Sequence, residues 1–407
     1  MERKLKNGYT TGTCAAAAVT AAAWHAFGGQ ERHRVHVELP GGGQADMAVE
    51  KASSQEQGDQ GQWFFVVKDG GDDPDVTHGA RVYGLVEPLE RREADSLWYR
   101  SQEYPCLFLT GGPGIGVVTR PGLGCPVGAY AINPVPRAMI FRQVGQVYKS
   151  LEMKGDYLIR VKIPQGVELA RKTFNPRLGI EGGISVLGTS GIVRPMSEQA
   201  LKDTIRLEIH MRAAAGEDSL IMVPGNYGEH FLRESLGISS NQAVQCSNFV
   251  ADALGMAAEE NIKRVLFVGH IGKLVKVAGG AGNTHSRYGD RRMEILAESL
   301  ERSEGRVSFG EARQKAKGAV WSLQDTESLR RRLLGCNTTE EAMGLLGEAG
   351  IREAVMEDIV SRIQEQMNRW GQGKTDIQVL TFSSVYGILG MSRSCGPMIE
   401  EWREKKT

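Results

Sequence analysis

The sequence predicts an α+β domain followed by a Rossmann-like α/β domain with a mostly parallel sheet. At 407 residues the chain exceeds the usual size of a single hydrophobic core, which predicts two domains. In residues 1–180, apolar strand-like runs follow one another with few helices between them. In residues 181–407, short apolar runs alternate with helical stretches, a pattern typical of parallel sheets. We therefore expect the domain boundary after residue 180.

The first predicted domain begins with a helix and continues mainly with strands. The alanine-rich run predicts a helix over 13–26. The runs RVHVEL and ADMAVE flank the turn PGGG and predict a hairpin. Further strands are expected at WFFVVKD, ARVYGLVE, CLFLTG and YLIRVKI. A helix is expected over 136–151, because Pro134 and Pro136 suit its first turn, and residues 51–62 are expected to form a mobile hairpin tip.

The second predicted domain has five strands, at GISVLG, DSLIMVPG, AVQCS, KRVLFVGH and IQVLTFSS. Ser197 is expected to cap a helix over 198–214, and Ser247 a helix over 248–260. Charged helical segments between 294 and 370 are expected outside the sheet. Because ligands of such sheets bind beyond the carboxyl ends of the strands, the loops GTSG (188–191), PGNYGEH (224–230) and GHIGK (269–273) are candidate binding loops.

Composition narrows the class of protein. Lysine plus arginine and aspartate plus glutamate both number 49, and this balance argues against a nucleic-acid binder. No run approaches 18 consecutive apolar residues, so no membrane span is expected. The six cysteines are scattered, which indicates reduced thiols in a cytoplasmic protein. The sequence leaves the oligomeric state open, a homo-oligomer included.

The stretch GYTTGTCAAAA places three threonines and a glycine at a helix start. The first amide groups of a helix lack intrahelical partners and carry the positive end of its dipole, which suits a phosphate or carboxylate. The hydroxyls of Thr10, Thr11 and Thr13 can equally cap those amides, in which case the turn is structural. The residues of this stretch alone do not decide between the two interpretations.

The stretch KDGGDDPDVTHGA carries four aspartates within seven positions, next to Thr77 and His78. Like charges this close need cations, hydrogen bonds or water. An Asx-rich surface turn and an acid/base or ligand-orienting loop both fit the composition. The spacing does not match an EF-hand calcium loop.

Two later stretches are rich in cationic side chains. Arg120 and Arg137 flank a glycine-rich segment and can grip carboxylates bidentately, or form surface ion pairs. GHIGKLVKVAGGAGNTHSRYGDRR concentrates histidine, lysine and arginine beside glycine backbone, which suits an anionic ligand. Its two histidines, fifteen residues apart, have no evident third partner for a metal, so no metal site is expected. A P-loop is absent because Leu274 follows Lys273.

Taken together, GYTTGTCAAAA, VKDGGDDPDVTHGA, AINPVPR, TFNPRLGIEGGISVLGTSGIVRPMSE, PGNYGE and VGHIGKLVKVAGG…NTHSR resemble the CbiD family, the cobalt-precorrin-5B C1-methyltransferases of anaerobic cobalamin biosynthesis. The matching stretches run in order from residue 8 to about residue 287. The resemblance implies methyl transfer from S-adenosylmethionine to ring carbon C1 of cobalt-precorrin-5B, giving cobalt-precorrin-6A. Because the sequence shows no convincing set of metal ligands, the cobalt is expected to arrive inside this tetrapyrrole substrate.

With that chemistry, each candidate residue receives an expected role. The cofactor S-adenosylmethionine is expected at Gly188, Thr189, Ser190, Gly191, Gly225, Asn226, Tyr227, Gly269, His270 and Gly272. The fringe carboxylates of the tetrapyrrole are expected at Thr10, Thr11, Gly12, Thr13, Arg120, Asn133, Arg137, Lys273 and Arg287, with the threonine turn facing an interdomain cleft. His78 with Asp72 or Asp73 is the favoured acid/base group, and His285 competes with it.

Two other functions remain alternatives. A small-molecule kinase or other phosphotransferase would use the glycine–threonine turn for phosphate and the aspartate loop for magnesium. A non-catalytic corrinoid carrier would keep the carboxylate sites but have no use for the Rossmann-like loops. The kinase predicts nucleotide binding and a magnesium requirement, and saturable binding of S-adenosylmethionine separates the methyltransferase from the carrier.

Overall fold

A computed structural model describes residues 5–53, 61–90, 95–303 and 323–404. The chain folds into two compact units, Met1–Glu198 and Gln199–Thr407. Most of the hairpin tip expected at 51–62 lies outside the described residues, as does the segment 304–322 of the charged helical region.

Helices and strands of the first unit follow the predicted order. Its helices are α1 (Thr11–Gly28), α2 (Pro134–Ser150) and α3 (Gly166–Ala170). Its strands are β1 (Gly8–Tyr9), β2 (Arg34–Glu38), β3 (Gln44–Ala48), β4 (Glu50–Lys51), β5 (Phe64–Val67), β6 (Arg81–Leu89), β7 (Tyr99–Arg100), β8 (Leu107–Gly111), β9 (Gly114–Ile115), β10 (Val117–Val118), β11 (Asp156–Lys162), β12 (Ile180–Glu181), β13 (Gly183–Ile184) and β14 (Ile192–Val193). The predicted first helix, the helix behind Pro134 and the hairpin β2–β3 are confirmed.

The main sheet of the first unit is mixed. Its strand order is β4-β5-β6-β11-β8-β7. β11 runs parallel to β8 and antiparallel to β6, and the other neighbours pair antiparallel. All four apolar runs expected as strands after the hairpin belong to this sheet.

Helix α1 is buried against β6, and small side chains make this possible. Its alanines at positions 15–18 and 21–23 are at most 2% exposed. A Cβ atom at Gly84 of β6 would lie only 2.6 Å from the backbone nitrogen of Val19. Glycine at position 84 therefore allows the helix to approach the strand more closely than any other residue would.

Residues 181–193 differ from the prediction. GISVLG does not join a parallel sheet of the second unit, because β13 pairs with β9 and β14 pairs with β1. The pairing segments are only two residues long, and their partners lie far away in the chain. The loop 188–191 therefore belongs to the first unit, and its expected place beyond a strand of the second sheet is wrong.

The second unit alternates strands with helices. Its strands are β15 (Ser219–Val223), β16 (Ala243–Gln245), β17 (Arg264–His270), β18 (Asp376–Ser383) and β19 (Gly387–Met391). Its helices are α4 (Glu198–Ala214), α5 (Asn226–Glu234), α6 (Val250–Glu259), α7 (Ile271–Ala278), α8 (Arg292–Ser303), α9 (Leu323–Leu334), α10 (Thr339–Glu348), α11 (Arg352–Trp370) and α12 (Cys395–Glu404). The predicted helix over 198–214 is confirmed.

The second sheet has the order β16-β15-β17-β18-β19. The first four strands are parallel and β19 is antiparallel, so the expectation of a mostly parallel sheet is confirmed. Alternate residues of its strands enter two hydrophobic cores. Leu220 and Met222 pack on the side of α6, α7 and α11, whereas Ile221 and Val223 pack on the side of α5 and α12. Helices thus cover both faces of the sheet.

One predicted cap is wrong. Helix α6 begins at Val250 rather than 248, with Phe249 in the cap position and no side-chain capping bond. Ser247 has a φ of +53°, whereas a capping serine needs an extended backbone.

Within the described ranges, no helix is both long enough and apolar enough to cross a membrane.

Candidate active site

The strand order of the second sheet reverses between β15 and β17. After β15 the chain moves to β16 on one side, and then to β17 on the other side. In open α/β sheets, ligands bind beyond the carboxyl ends of the strands at such a reversal. The loops that follow β15 and β17, residues 224–230 and 269–273, therefore form the candidate site of this unit, and we call them the crevice loops.

The crevice loop after β15 exposes an aromatic ring beside a glycine turn. Gly225 has a φ of +124°, a backbone conformation that favours glycine. The side-chain oxygen of Asn226 accepts a hydrogen bond from Nε2 of Gln245, the last residue of β16, at 3.4 Å. Tyr227 is 72% exposed, and its ring centroid lies 5.9 Å from that of His270. An exposed aromatic face beside accessible backbone can stack on a flat ligand.

Lys273 joins the two crevice loops. Its ammonium nitrogen, in the first turn of α7, donates to the carbonyl oxygen of Pro224 at 2.5 Å. Burial lowers the pKa of Lys273, and the nearby Cys246 opposes this shift only in part. Burial also raises the pKa of the Cys246 thiol to about 12, so this thiol stays protonated at neutral pH. Within the described ranges this half-buried ammonium has one neutral hydrogen-bond partner, which leaves two N–H donors for an anion such as a carboxylate.

A chain of hydrogen bonds links the start of α7 to the end of β18. Nδ1 of His270 accepts from the amide of Gly272 at 3.1 Å, and Nε2 lies 3.1 Å from Oε1 of Glu340. The other carboxylate oxygen of Glu340 accepts from the hydroxyl of Ser383. Both ring nitrogens of His270 are thus engaged within the protein, and the imidazole holds the loop in place.

The aspartate-rich loop of the first unit surrounds a buried cation. Lys68 is 2% exposed and pairs with the carboxylate of Asp75. Asp75 also accepts from the amide of Thr77 at 2.8 Å. Burial raises the pKa of Asp75, but the hydrogen bonds from Lys68 and Thr77 outweigh it and leave the pKa below its ordinary value. This aspartate is therefore ionised and structural.

Two other aspartates of the loop bind backbone amides. Asp72 accepts from the amide of Lys6 at 2.7 Å, and Asp73 accepts from the amide of Met196 at 3.0 Å. The loop thereby binds residues next to two strands: Lys6 precedes β1 and Met196 follows β14. Strands β1 and β14 pair with each other.

His78 has a different carboxylate neighbour from those expected. Its Nδ1 accepts from the amide of Gly70 at 3.0 Å and lies 3.8 Å from Oδ1 of Asp69. Asp72 and Asp73 are used elsewhere, so the expected pairing of His78 with either of them is wrong. Asp69 is held by Lys6, which keeps the pKa of this carboxyl below its usual range.

The threonine turn at the start of α1 is filled by protein groups. The side-chain oxygen of Thr10 caps the amide of Thr13 at 3.2 Å, and the hydroxyl of Thr13 donates to the carbonyl of Gly191 at 2.7 Å. The amide of Gly12 donates to the carbonyl of Leu187 at 3.0 Å. All three threonines of the turn are at most 6% exposed. Carbonyl oxygens of the protein therefore already occupy the position at which the sequence predicted an anionic ligand.

The same turn fixes the loop 188–191. The hydroxyl oxygen of Thr11 accepts from the amide of Leu187 at 3.0 Å, and Gly188 lies directly against Thr10. Thr189 remains exposed at the tip of this loop. The threonine turn thus positions residues 188–191 and does not itself offer free hydroxyls.

The arginines of the first unit differ in how far they are engaged. Arg137, in the first turn of α2, donates to the carbonyl of Gly124 at 2.7 Å and stacks over the ring of Tyr99 at 4.1 Å. Asn133 precedes α2, and its side chain makes no capping bond. Arg120 is exposed and has no ion-pair or hydrogen-bond partner among the described residues. Arg120 is therefore the more available of the two for a carboxylate ligand.

His285 and Arg287 lie on the surface of the second unit. Nδ1 of His285 accepts from the amide of Arg287 at 3.2 Å, and the Arg287 side chain donates to the hydroxyl of Tyr288 at 2.7 Å. Lys276 holds this loop in place, because its buried ammonium donates to the carbonyl of Thr284 at 3.5 Å.

In the part of the chain that the structure describes, no three His, Cys, Asp or Glu side chains are grouped as a metal ion would require.

Two family models match the chain: "CbiD" over residues 1–195, and "CbiD, C-terminal domain" over residues 322–393. A protein of Alkaliphilus metalliredigens named cobalt-precorrin-5B C(1)-methyltransferase is 39% identical over 98% of this chain and 95% of its own length. A protein of the same name from Desulfitobacterium hafniense is 44% identical over 72% of this chain and 70% of its own length. The chain belongs to the CbiD family.

The family resemblance identified from the sequence motifs is thereby confirmed. A crystal structure titled cobalamin biosynthesis protein (cbiD) from Archaeoglobus fulgidus matches this CbiD-family chain at 23% identity, with a TM-score of 0.36, over 68% of this chain and 80% of that one.

Sequence reasoning missed three polar residues of this CbiD-family site: Gln245, Glu340 and Ser383. The positions of Gln245 and Ser383 at the ends of predicted strands were the one available signal. Glu340 lies 70 residues from His270 in the chain, within a charged helical segment that carries no recognisable motif.

Proposed function

We propose that this chain is a cobalt-precorrin-5B C1-methyltransferase. It would transfer the methyl group of S-adenosylmethionine to ring carbon C1 of cobalt-precorrin-5B and give cobalt-precorrin-6A, in anaerobic cobalamin biosynthesis. The observation that carries the proposal is the relationship to curated proteins of that name, 39% identical along nearly the whole chain in one case.

We assign S-adenosylmethionine to the crevice loops of the second unit. The donor set fits this molecule: Lys273 keeps N–H donors for its carboxylate, the exposed ring of Tyr227 suits its flat adenine, and Gly225 leaves backbone accessible. Gly269, His270 and Gly272, in the crevice loop after β17, complete the proposed donor site. Lys273, expected from the sequence to bind the tetrapyrrole, is thus reassigned to the donor.

S-adenosylmethionine, when bound, supplies a methyl group on an already activated sulfonium. The protein therefore has little covalent chemistry to perform, and orientation of the two reactants supplies most of the rate. In the crevice, Lys273 would hold the donor by its carboxylate end, and the ring of Tyr227 would fix the opposite end. Two anchors on one flexible molecule restrict where the methyl group points.

We assign the tetrapyrrole carboxylates to the first unit. Arg120 offers a guanidinium that has no partner among the described residues, and the half-buried Arg137 offers a second one beside Asn133. The loop 188–191 presents exposed Thr189 at a position fixed by the threonine turn, so we reassign this loop from the donor to the acceptor. Thr10, Thr11, Gly12 and Thr13 then act through that loop rather than by direct contact.

The acid/base assignment remains a prediction. A proton must be managed as C1 becomes quaternary, and His78 and His285 are the exposed imidazoles of the matching motifs. His78 has the stronger claim, because the ionised Asp69 lies beside it. The Rossmann-like topology, a cytoplasmic location and a homo-oligomer likewise stay predictions.

Neither alternative function finds support. The curated relatives are named as methyltransferases, not as kinases or carriers.

A mass spectrum tests the proposal. Purified chain is incubated with cobalt-precorrin-5B and S-adenosylmethionine carrying a ¹³C-labelled methyl group. We expect the acceptor to gain one labelled methyl group, with the label at C1 by carbon NMR. Binding of S-adenosylmethionine without any gain in acceptor mass would refute this acceptor, and failure to bind either ligand would refute the proposal as a whole.

A further inference from the structure

The hydrogen bonds around His270 fix the position of its proton. The amide of Gly272 can only donate, so Nδ1 of His270 must present a lone pair to it across 3.1 Å. A neutral imidazole then carries its proton on Nε2, which points at Oε1 of Glu340. The lone pair on Nδ1 also caps helix α7, for which His270 is the cap residue.

The hydrogen bond between Ser383 and Glu340 has an equally defined direction. The hydroxyl oxygen of Ser383 accepts from the amides of Val385 and Tyr386, both at 3.0 Å. Its own proton is therefore directed at Glu340. Glu340 receives two donors, one on each oxygen, and only a carboxylate accepts from both without presenting an N–H of its own.

Glu340 is itself held in place by the start of α10. The side-chain oxygen of Thr338 accepts from the amide of Glu341 at 3.2 Å, and the carboxylate of Glu341 accepts from the amide of Asn337 at 3.0 Å. These two hydrogen bonds, with Thr338 as the cap residue, fix the first turn of the helix. The carboxylate of Glu340 is thus presented to His270 from a rigid element.

The tautomer of His270 also affects Lys273, because Lys273 lies one residue after Gly272. The capping bond at Gly272 sets where the first turn of α7 begins, and hence where the Lys273 ammonium meets Pro224. With the other tautomer of His270, an N–H would oppose the amide of Gly272, and this end of the helix would have to move.

We infer that Glu340 is a positioning residue for the methyl donor. Through His270 it sets the tautomer that caps α7, and thereby places Lys273 to bind the carboxylate of S-adenosylmethionine. This inference rests on the proposed function for the identity of the ligand. It gives the segment around α10 a role in the site that no motif indicated.

The test compares the unaltered chain with its Glu340→Gln and Glu348→Gln variants. Glu348 is the matched control, because it is a carboxylate of the same helix whose exposed side chain faces Arg332 rather than His270. We expect Glu340→Gln to weaken S-adenosylmethionine binding about tenfold by calorimetry, since an ionised acceptor is replaced by an amide. We expect Glu348→Gln to bind within twofold of the unaltered chain.

A spectroscopic measurement needs no variant of Glu340. Two-bond ¹H–¹⁵N NMR of the histidine side chains, with His270 assigned by its loss in His270→Asn, reports which ring nitrogen carries the proton. The Nε2–H form is expected in the unaltered chain, with a mixture of tautomers in Glu340→Gln. An Nδ1–H form in the unaltered chain, or equal affinities of the Glu340→Gln and unaltered chains for S-adenosylmethionine, would overturn the inference alone. No binding of S-adenosylmethionine by the unaltered chain would overturn the proposed function and, with it, this role of Glu340.

Discussion

Lys68 is almost fully buried, and its ammonium pairs with Asp75. Removing one partner of a buried pair leaves an uncompensated charge, which costs about 3 kcal/mol. We expect Lys68→Met to lower the free energy of unfolding by about that amount in urea titration. The control is Lys6→Met, because Lys6 and its partner Asp69 are both exposed, and its unfolding midpoint should barely change. Equal effects of the two substitutions would contradict this account of Lys68.

The same pair predicts a pH dependence. Burial raises the pKa of Asp75, but hydrogen bonds from Lys68 and Thr77 outweigh it, so the folded-state pKa is depressed. A carboxyl with a depressed pKa stabilises the fold above its unfolded pKa of about 4, and this stability is lost as the pH falls through the folded value. We expect the stability difference between the unaltered chain and Asp75→Asn to be constant above about pH 5 and to shrink below about pH 4. A difference that grows on acidification would exclude this mechanism.

Among the elements, α1 shows how one backbone position controls packing. A methyl group at Gly84 would meet the backbone of Val19 at 2.6 Å, so strand β6 and the helix would have to separate. We expect Gly84→Ala to destabilise the chain by about 2 kcal/mol in denaturant titration. Gly396→Ala is the control, because the added carbon meets no described atom within 4 Å beyond its chain neighbours and the backbone of its own helix. A Gly84→Ala variant as stable as the control would mean that the helix moves freely on the strand.

The same elements indicate how far sequence patterns reach. The alanine run, the hairpin around PGGG and the long apolar runs predicted their elements because each signal is local. GISVLG failed because strands β13 and β14 are too short for periodicity to assign their partners. The threonine turn was left open for a related reason: its decisive partner, Leu187, lies 176 residues from Thr11. The role of Glu340 could not be predicted from the sequence, because a charged residue on a charged helix carries no local signal of a functional site.

At the scale of the whole molecule, the net formal charge is zero, so binding of an acidic tetrapyrrole depends on local cations. The proposed function divides these between two ligands: Lys273 for the donor and Arg120 for the acceptor. Both are charged donors to carboxylates, and each such bond contributes about 1.5–3 kcal/mol, equivalent to a tenfold or larger change in affinity. Removing either side chain should therefore weaken binding by a similar factor. The affected ligand should differ: the donor for Lys273 and the acceptor for Arg120.

Steady-state kinetics with both substrates varied separate the two roles. We expect Lys273→Met to raise KM for S-adenosylmethionine about tenfold and leave KM for cobalt-precorrin-5B unchanged, and Arg120→Gln to do the converse. The surface variant Lys263→Met, whose exposed side chain pairs with the exposed Asp218, should change neither value. If Arg120→Gln instead raised KM for the donor, the assignment of the tetrapyrrole to the first unit would fail. If Lys273→Met lowered kcat with both KM values intact, the lysine would act on the transition state rather than hold the donor.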